Sequence, residues 1–360
     1  MRVPHVSARM SFRLVAAVGV GIAVAASGCS TGRSSESPNP ASTSSRLPSS
    51  TSMSTPPESE GAIVARIRLP ASPFSVATGE GSVWALTRRP RPEVWRIDPR
   101  SNRLVGKPTP LPVAPWNIAV GAGSVWVTPN GADGRLIRID ARTGRISARI
   151  SARPVYFGSV LAFGAGFVWT GNDDERYKGG STVSKVNPRT NQVVGKPLVL
   201  GSPQSITFGH GALWVADHAG WLVKIDPTTF KVVARQRLDF GPHGVVVTDD
   251  AVYVADAHGS RLLEADPKTA AIRRIRRLPV APIYPTVAAG SIWSSSAAVW
   301  KDETMQATLD DRVVRLDPKT LAITETFHLG GNVSAVAFGF GSLWATQTGQ
   351  VVRITPEPRP

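Results

Sequence analysis

The stretch Gly121–Ala141, GAGSVWVTPNGADGRLIRIDA, decides the fold because similar stretches recur along most of the chain. Its Gly-x-Gly step predicts a tight turn, SVWVT predicts a strand buried on both faces, and LIRID predicts a second strand. The aromatic residue of SVWVT returns with a period of about 40 residues. The seven aromatic anchors are Trp84, Trp126, Trp169, Trp214, Tyr253, Trp293 and Trp344.

A second strand follows each anchor and ends in most repeats at an Asp-Pro or Asn-Pro step. These turns lie at Pro99, Ala141, Pro188, Pro227, Pro267, Pro318 and Pro356. A short apolar strand precedes each anchor and an outer strand follows six of the turns, so each repeat has four strands. The sequence therefore predicts an all-β, seven-bladed β-propeller of four-stranded antiparallel blades. We expect the turn Asp side chains to accept backbone hydrogen bonds and to be structural.

The two ends of the repeat region complement each other. Ala62–Leu69, AIVARIRL, precedes the first repeat as a strand without a blade, and the last repeat stops at Val351–Thr355, one strand short. Pairing these segments would close the ring and remove two sheet edges. We therefore predict that the N-terminal strand completes the last blade.

The N-terminus has the layout of a secretory signal. Three arginines precede an uncharged apolar run at Leu14–Ala26, which is too short for a comfortable membrane span. Small residues then stand before Cys29, and this arrangement resembles a bacterial lipobox, although Ala26 stands where Leu is usual. The resemblance implies a lipoprotein signal peptide over residues 1–28, with Cys29 lipidated. The alternative is a plain secretory signal with an incidental cysteine.

The remaining organisation follows from composition. Residues 29–60 are rich in Ser, Thr and Pro, which predicts a disordered tether, and residues 61–360 form the propeller. A lipid on Cys29 would hold the protein outside the cytoplasm on the outer leaflet of the bacterial cell membrane. The single cysteine excludes an intramolecular disulfide and a paired-cysteine redox or zinc site.

The chain is basic, with 41 Lys and Arg against 26 Asp and Glu and a net charge of +15. Such a surface attracts polyanions such as acidic lipid headgroups or anionic wall polymers, although this charge is more often that of a solvated basic surface. Secretion argues against nucleic acid as a partner. Phosphate-binding and dinucleotide-binding motifs are missing from the sequence.

One rim of the predicted propeller carries the variable loops, and variable loops usually carry recognition. The loops between blades place one residue each near the mouth of the central channel: Phe74, Trp116, Tyr156 or Phe157, Gln204, His243, Tyr284 and Asn332. Aromatic rings there could stack a sugar, a peptide ring or an aromatic ligand, or they could plug the channel. We predict ligand binding at Phe74, Trp116, Tyr156, Gln204, His243 and Tyr284.

A second set of candidates lies three residues past each anchor. Its members are Thr87, Pro129, Asn172, Asp217, Asp256, Ser296 and Gln347. His218 and His258 lie beside two of these acids. His together with Asp can bind a divalent ion, and His can act as a general base, whereas exposed loop histidines beside turn-forming aspartates are the structural alternative.

The pattern G-x-G-S-V-W…R-I-D-P over about Gly61–Thr355 resembles bacterial propellers of the YncE-like and virginiamycin B lyase-like group. The lyase-like members build a metal-assisted site from His and Glu in these loops. His243 lies in a matching Pro-His-Gly loop, and Asp217 and Asp256 lie where an acid is expected. Gln204 and Tyr284 stand where the resemblance implies a second His and a Glu.

These observations favour an extracytoplasmic binding module that carries out no chemistry and acts as a monomer without a cofactor. Its ligand would be a small molecule, a glycan or an envelope protein. The alternative is a lyase or hydrolase that depends on Mg²⁺ or Ca²⁺, with His243, Asp217 and Asp256 as catalytic residues and Asp217, His218, Asp256 and His258 as possible metal ligands. A third possibility is adhesion to anionic wall polymer through the basic surface.

Overall fold

The computed structural model describes residues 63–130, 135–152, 160–172, 181–297 and 309–356. Within these ranges the regular elements are thirty β-strands, and they form seven antiparallel sheets. The described residues contain no helix with the length and hydropathy needed to span a bilayer. The predicted signal peptide, the Cys29 lipidation site and the tether lie outside the described residues.

Each sheet is one blade, and the predicted seven-bladed propeller is confirmed. The first described strand is β1 (Ile63–Arg68), and blade one then contains β2 (Pro73–Gly79), β3 (Ser82–Thr87), β4 (Glu93–Asp98), β5 (Arg103–Leu104) and β6 (Thr109–Pro110). Blade two contains β7 (Pro115–Gly121), β8 (Ser124–Pro129), β9 (Arg135–Asp140) and β10 (Ile146–Ser151). Blade three contains β11 (Leu161–Gly164), β12 (Phe167–Asn172), β13 (Thr182–Asn187), β14 (Gln192–Val193) and β15 (Leu198–Val199).

Blades four to seven follow in the same order. Blade four contains β16 (Pro203–Gly209), β17 (Ala212–Asp217), β18 (Trp221–Asp226) and β19 (Lys231–Arg237), and blade five contains β20 (Gly244–Val247), β21 (Val252–Asp256), β22 (Arg261–Ala265) and β23 (Ile272–Arg277). Blade six contains β24 (Ala281–Ala288), β25 (Ser291–Ala297), β26 (Leu309–Leu316) and β27 (Ile323–His328). Blade seven contains β28 (Val333–Gly339), β29 (Ser342–Gln347) and β30 (Gln350–Ile354).

The ring closes where the two ends of the propeller meet. Strand β1 pairs antiparallel with β30, with Ile63 opposite Ile354 and Arg68 opposite Gln350. This pairing confirms that the N-terminal strand completes the last blade. The first strands of successive blades contact one another around the whole ring, and β28 returns to contact β2. These first strands therefore line the central channel.

The tight turn after the first strand of a blade requires glycine at two positions, one within the turn and one directly before it. In blade two, Ala122 and Gly123 have φ angles of 54° and 69°, as a type I′ hairpin turn demands. The preceding Gly121 is required for a different reason, because a Cβ there would lie 2.4 Å from the ring of Phe163 in the next blade. The turn motif thus serves both hairpin geometry and close contact between blades.

The aromatic anchors hold their blades from inside. Trp126 is fully buried, and its Nε1 donates to the carbonyl of Gly121 at 3.0 Å. The Arg138 guanidinium lies 5.0 Å from the Trp126 ring centroid and donates to the Pro188 carbonyl of the next blade at 2.6 Å. A cation stacked on the anchor recurs in other blades as Arg96 on Trp84, Lys185 on Trp169, Lys224 on Trp214, Arg315 on Trp293 and Arg353 on Trp344.

The hydrophobic core is divided among the spaces between neighbouring blades. One cluster joins Trp84 and Leu86 of blade one to Val125 and Val127 of blade two. Another joins Trp344 of blade seven to Trp95 of blade one across the closure. Since each blade buries its faces only against its neighbours, the closed ring is needed to bury the apolar area of all the blades.

The turn aspartates are structural, as expected. The Asp226 carboxylate accepts hydrogen bonds from the backbone N–H groups of Thr228 and Thr229 at 2.8 and 2.7 Å. These bonds, led by that from Thr229, lower the pKa of Asp226. The same arrangement holds Asp98, Asp140, Asp266 and Asp317, and Asn187 takes this place in blade three.

Two details differ from the simplest form of the repeat. The sequence pattern predicts one outer strand over Gln192–Leu200 in blade three, but this strand is split into β14 and β15, because Gly195 has a φ of 72° and Pro197 lacks an N–H. Arg273, Arg274, Arg276 and Arg277 form a basic run on β23 that the sequence alone would place on a solvated edge. In the structure this run contacts its neighbours, because Arg274 binds Glu264 and the Pro318 carbonyl of blade six. The run therefore joins two blades and is only partly a solvated edge.

Candidate functional site

One rim of the propeller, here the loop-rich rim, carries the loops between blades and the loops that join second to third strands. It is represented by the segments 69–72, 87–92, 201–202, 217–221, 241–243 and 256–261. The antiparallel order of the blades places the Gly-x-Gly and Asp-Pro turns on the opposite rim. The candidate residues that fall within the described ranges therefore lie on the loop-rich rim.

Three histidines of blades four and five converge on this rim. His218 directly follows β17, His243 directly precedes β20, and His258 lies in the loop after β21. One nitrogen from each ring lies within 4.8 Å of the other two. The ring centroid of His243 lies 5.2 Å from that of His218 and 4.7 Å from that of His258. The structure thus brings together three side chains that are up to 40 positions apart in the sequence.

Asp217 holds the loop that carries His218. Its buried carboxylate accepts hydrogen bonds from the backbone N–H groups of Gly201 at 2.9 Å, Ser202 at 2.6 Å and Ala219 at 3.1 Å. The N–H of His218 in turn donates to the Ser202 carbonyl at 2.7 Å. Asp217 therefore fixes the backbone on both sides of the imidazole.

Asp256 has the same role in the next blade. Its fully buried carboxylate accepts hydrogen bonds from the Gly259 N–H at 2.9 Å and from Arg261 Nε at 2.8 Å. These bonds close the loop that carries His258. The N–H of His243 donates to the Ala255 carbonyl at 2.9 Å, which ties the third histidine to the same blade.

The surroundings of His243 and His258 favour the neutral form of both imidazoles. Burial, together with the neighbouring His258 and His218, lowers the pKa of His243 to about 3. Burial also lowers the pKa of His258, although the Asp256 charge opposes this shift. The Nδ1 atom of His243 is buried and has no hydrogen-bond partner among the described residues. Neutral rings offer nitrogen lone pairs, which can bind a metal ion or accept a proton.

A stacked arginine occupies another part of the rim. The Arg88 guanidinium carbon lies 3.9 Å from the Phe74 ring centroid and 4.4 Å from that of Trp116. Its Nε donates to the Pro115 carbonyl at 2.8 Å. Burial lowers the pKa of Arg88 to about 10, and Tyr284 opposes this shift. The two predicted aromatic residues thus enclose a cation from the protein itself.

The other predicted ligand-binding residues have varied surroundings. Tyr284 is 44% exposed and has a φ of 48°. Its neighbour Pro285 packs against Gly244, so this loop lies beside the loop of His243. Gln204 is half-buried, and its Nε2 lies 3.5 Å from the Ser202 hydroxyl. Tyr156 and Phe157 lie outside the described residues. Ligand binding by these residues stays a prediction.

The residues three positions past the anchors mostly serve their own loops. Thr87 Oγ1 donates to the Arg91 carbonyl, Gln347 Nε2 donates to the Leu329 carbonyl, and Ser296 Oγ bonds Asp310. With Asp217 and Asp256 they are buried. The catalytic and metal roles predicted for the two aspartates stay predictions, while the structure gives both a positioning role.

Sequence reasoning missed Arg88, although a positional signal existed. Arg88 lies four residues past Trp84, as His218 lies four residues past Trp214. In both blades this position directly follows a buried residue, Thr87 or Asp217, whose side chain bonds the loop backbone. The rim also carries a shallow depression of about 710 Å³ between blades seven and one, lined by 69–72, Arg89, Pro90 and Gly349. Neither His243 nor Arg88 lines this depression, so a molecule bound there would not contact the histidine cluster or the stacked arginine through these residues.

Comparisons with known proteins support the fold. No protein-family model matches the chain, and no curated protein sequence is similar to it. Among solved structures, the WD40 β-propeller domain of Doa1 is similar, with a TM-score of 0.61, 12% identity, and coverage of 83% of this chain and 97% of that chain. BamB from Moraxella catarrhalis is similar with a TM-score of 0.57, 16% identity, and coverage of 80% and 84%. At these identities the likeness establishes that the chain has a β-propeller fold.

Proposed function

We propose that this protein is a binding module of the bacterial cell envelope, anchored through Cys29 to the outer leaflet, and that its ligand binds on the loop-rich rim around the channel mouth. The observation that carries the proposal is the Arg88 guanidinium stacked between Phe74 and Trp116. The opposite rim, by contrast, consists of repeated turns with structural side chains. The similar fold of BamB, a bacterial protein, is in keeping with a role of this kind.

The stack suggests the chemistry of the ligand. An arginine held between two rings keeps its planar fork in one orientation, and such a fork binds carboxylates in bidentate fashion. Aromatic rings beside it can stack on the apolar face of a sugar. We therefore propose that the ligand is a small molecule or glycan that carries a carboxylate. The protein acts as a monomer in this proposal, and no cofactor takes part.

Titration of Trp fluorescence with carboxylate-bearing probes, namely muramyl dipeptide and a uronic-acid oligosaccharide, tests the proposal. Binding to the wild type that weakens at least tenfold in Arg88→Gln and in Trp116→Ala supports it. Arg189→Gln, which changes an exposed arginine on the opposite rim, is the matched control and should bind as the wild type does. Absence of binding to both probes, or equal weakening in the control, contradicts it.

Binding to isolated envelopes that falls with salt and persists in Arg88→Gln would indicate adhesion through the basic surface instead.

A second candidate function is that of a lyase or hydrolase of the virginiamycin B lyase type, and the convergence of three imidazoles favours it. In this candidate His243 would contact the substrate at the site, with His218 and His258 beside it. Chromatography of virginiamycin B after incubation with the protein tests this candidate. Conversion by the wild type that is lost in His243→Ala supports it, and an unchanged antibiotic argues against it.

A further inference from the structure

We infer that His218, His243 and His258 together bind one transition-metal ion of the Zn²⁺ class. This site is separate from the arginine stack and does not depend on the binding function proposed above. It also differs from the Mg²⁺ or Ca²⁺ site expected from the sequence, because its ligands are imidazole nitrogens.

The spacing of the nitrogens fits one ion. In a tetrahedral zinc site with Zn–N bonds of about 2.0–2.1 Å, ligand nitrogens lie about 3.4 Å apart. The three nitrogens lie within 4.8 Å of one another. Small rotations of the rings about their side-chain torsions would close the difference. The loops that carry His218 and His258 are already fixed by the bonds to Asp217 and Asp256, so little backbone ordering is needed.

A buried atom points to the same conclusion. Nδ1 of His243 is buried without a hydrogen-bond partner among the described residues. Buried polar atoms without partners are rare in folded proteins, and an ion is one of the groups that can account for them. A metal bound within this cluster would account for a nitrogen that protein atoms leave unbonded.

The donor chemistry selects the ion. Imidazole suits Zn²⁺, Cu²⁺ and Ni²⁺, whereas Mg²⁺ and Ca²⁺ require oxygen ligands. The two nearby carboxylates bond backbone N–H groups and Arg261. Because their oxygens are engaged in this way, Asp217 and Asp256 position the histidines and do not bind the ion.

The cluster would leave one coordination position for another group. All three histidines are half-buried, so part of the cluster faces solvent on the loop-rich rim. Zinc sites with three protein ligands keep a fourth position for water or for an atom of a bound molecule. The ion would therefore be accessible to small molecules that reach the rim.

Calorimetric titration of the full chain, purified without a histidine tag, tests the inference. We expect one Zn²⁺ per chain in the wild type and a loss of affinity of at least tenfold in each of His218→Ala, His243→Ala and His258→Ala. His210→Ala is the matched control, because His210 is exposed in a turn of the opposite rim, and it should bind as the wild type does. Mg²⁺ should give no comparable heat.

Two further measurements guard against misfolded variants. Co²⁺ bound to the wild type should show the visible absorption bands of a four-coordinate site, and Zn²⁺ should abolish them. Zn²⁺ should also protect His218 and His258 of the wild type from diethyl pyrocarbonate, measured by mass spectrometry, while His210 and His328 stay reactive. The inference is overturned if the wild type binds no Zn²⁺, if the three variants bind as the wild type does, or if His210→Ala is weakened equally.

Discussion

Arg353 in the last blade donates a hydrogen bond to the backbone carbonyl of Pro99 in the first blade, with a nitrogen–oxygen distance of 2.7 Å. The same guanidinium lies 5.0 Å from the Trp344 ring centroid and also binds Asn102 at 2.9 Å. This contact repeats, at the closure of the ring, the bond that Arg138 makes to Pro188 and that Lys185 makes to Pro227 between successive blades. The ring is thus closed by the same interaction that joins blades two and three to the blades that follow them.

Replacing Arg353 with Ala should lower the free energy of unfolding by about 1–3 kcal/mol, because it removes the hydrogen bonds to Pro99, Asn102 and Ser342 and the cation–π contact with the Trp344 ring. Urea unfolding followed by Trp fluorescence measures the change. Arg142→Ala removes an exposed arginine side chain and should stay within about 0.5 kcal/mol of the wild type. Equal stability of the two variants would show that the closure does not need this contact.

Blade five is joined to blade six by a tyrosine hydroxyl in place of an arginine or lysine side chain. Tyr253 replaces the Trp anchor there, and its hydroxyl donates to the Pro318 carbonyl of blade six at 3.0 Å. Glu264 takes the place of the stacked cation. Tyr253→Phe should therefore cost about 1 kcal/mol of stability in urea unfolding, since one hydrogen bond is lost and the ring is kept. Tyr284→Phe, on an exposed ring, serves as the control, and a cost as large as that of Tyr253→Phe would refute the assignment.

The architecture could be predicted from the sequence because the contacts that build it are repeated and local. The Trp126 to Gly121 bond spans five positions, and the bonds that Asp226 accepts span two and three. Such contacts impose residue types at fixed spacings in most blades. The closure by β1 could also be predicted, because one unpaired strand and one incomplete blade remain once the repeats are aligned.

The candidate site was harder to predict because its contacts are neither repeated nor local. His243 was identified from its loop, but its convergence with His218 and His258 depends on how two blades face each other. The sequence offers Asp217 and Asp256 as possible metal ligands together with His218 and His258, but it does not show the bonds that these carboxylates accept from Gly201, Ser202 and Gly259. Those partners are set by loop closure, which no spacing in the sequence reveals.

His243 should make the metal-free protein sensitive to acid. Since the pKa of His243 falls from 6.5 to about 3 on folding, the unfolded chain binds its proton more readily, and stability is lost as pH falls from 6.5 toward 3. At pH 5.5 the loss from this one group is about 1.4 kcal/mol. Urea unfolding with a chelator at pH 7.5 and 5.5 measures it. His243→Gln should show a smaller loss over this interval, and an identical loss would contradict the prediction.

The zinc inference also predicts an effect from a residue that binds no metal. A Cβ at Gly241 would lie 2.6 Å from Nε2 of His218, so Gly241→Ala should push the imidazole away while keeping all three histidines. We expect Zn²⁺ affinity to fall at least threefold and the Co²⁺ absorption to change, because both report on the position of the ring. A purely structural effect would lower stability and leave the Co²⁺ spectrum of the bound protein unchanged.

A double-mutant cycle isolates the contact between Gly241 and His218. If Gly241→Ala acts through the imidazole of His218, it should have no further effect on metal affinity once His218→Ala is present, since the affected ring is gone. The two changes would then be non-additive in affinity, while their costs in urea unfolding could still add. Additive losses of affinity would mean that Gly241→Ala disturbs His243 or His258 directly, and the role of His218 as a ligand would lose its support.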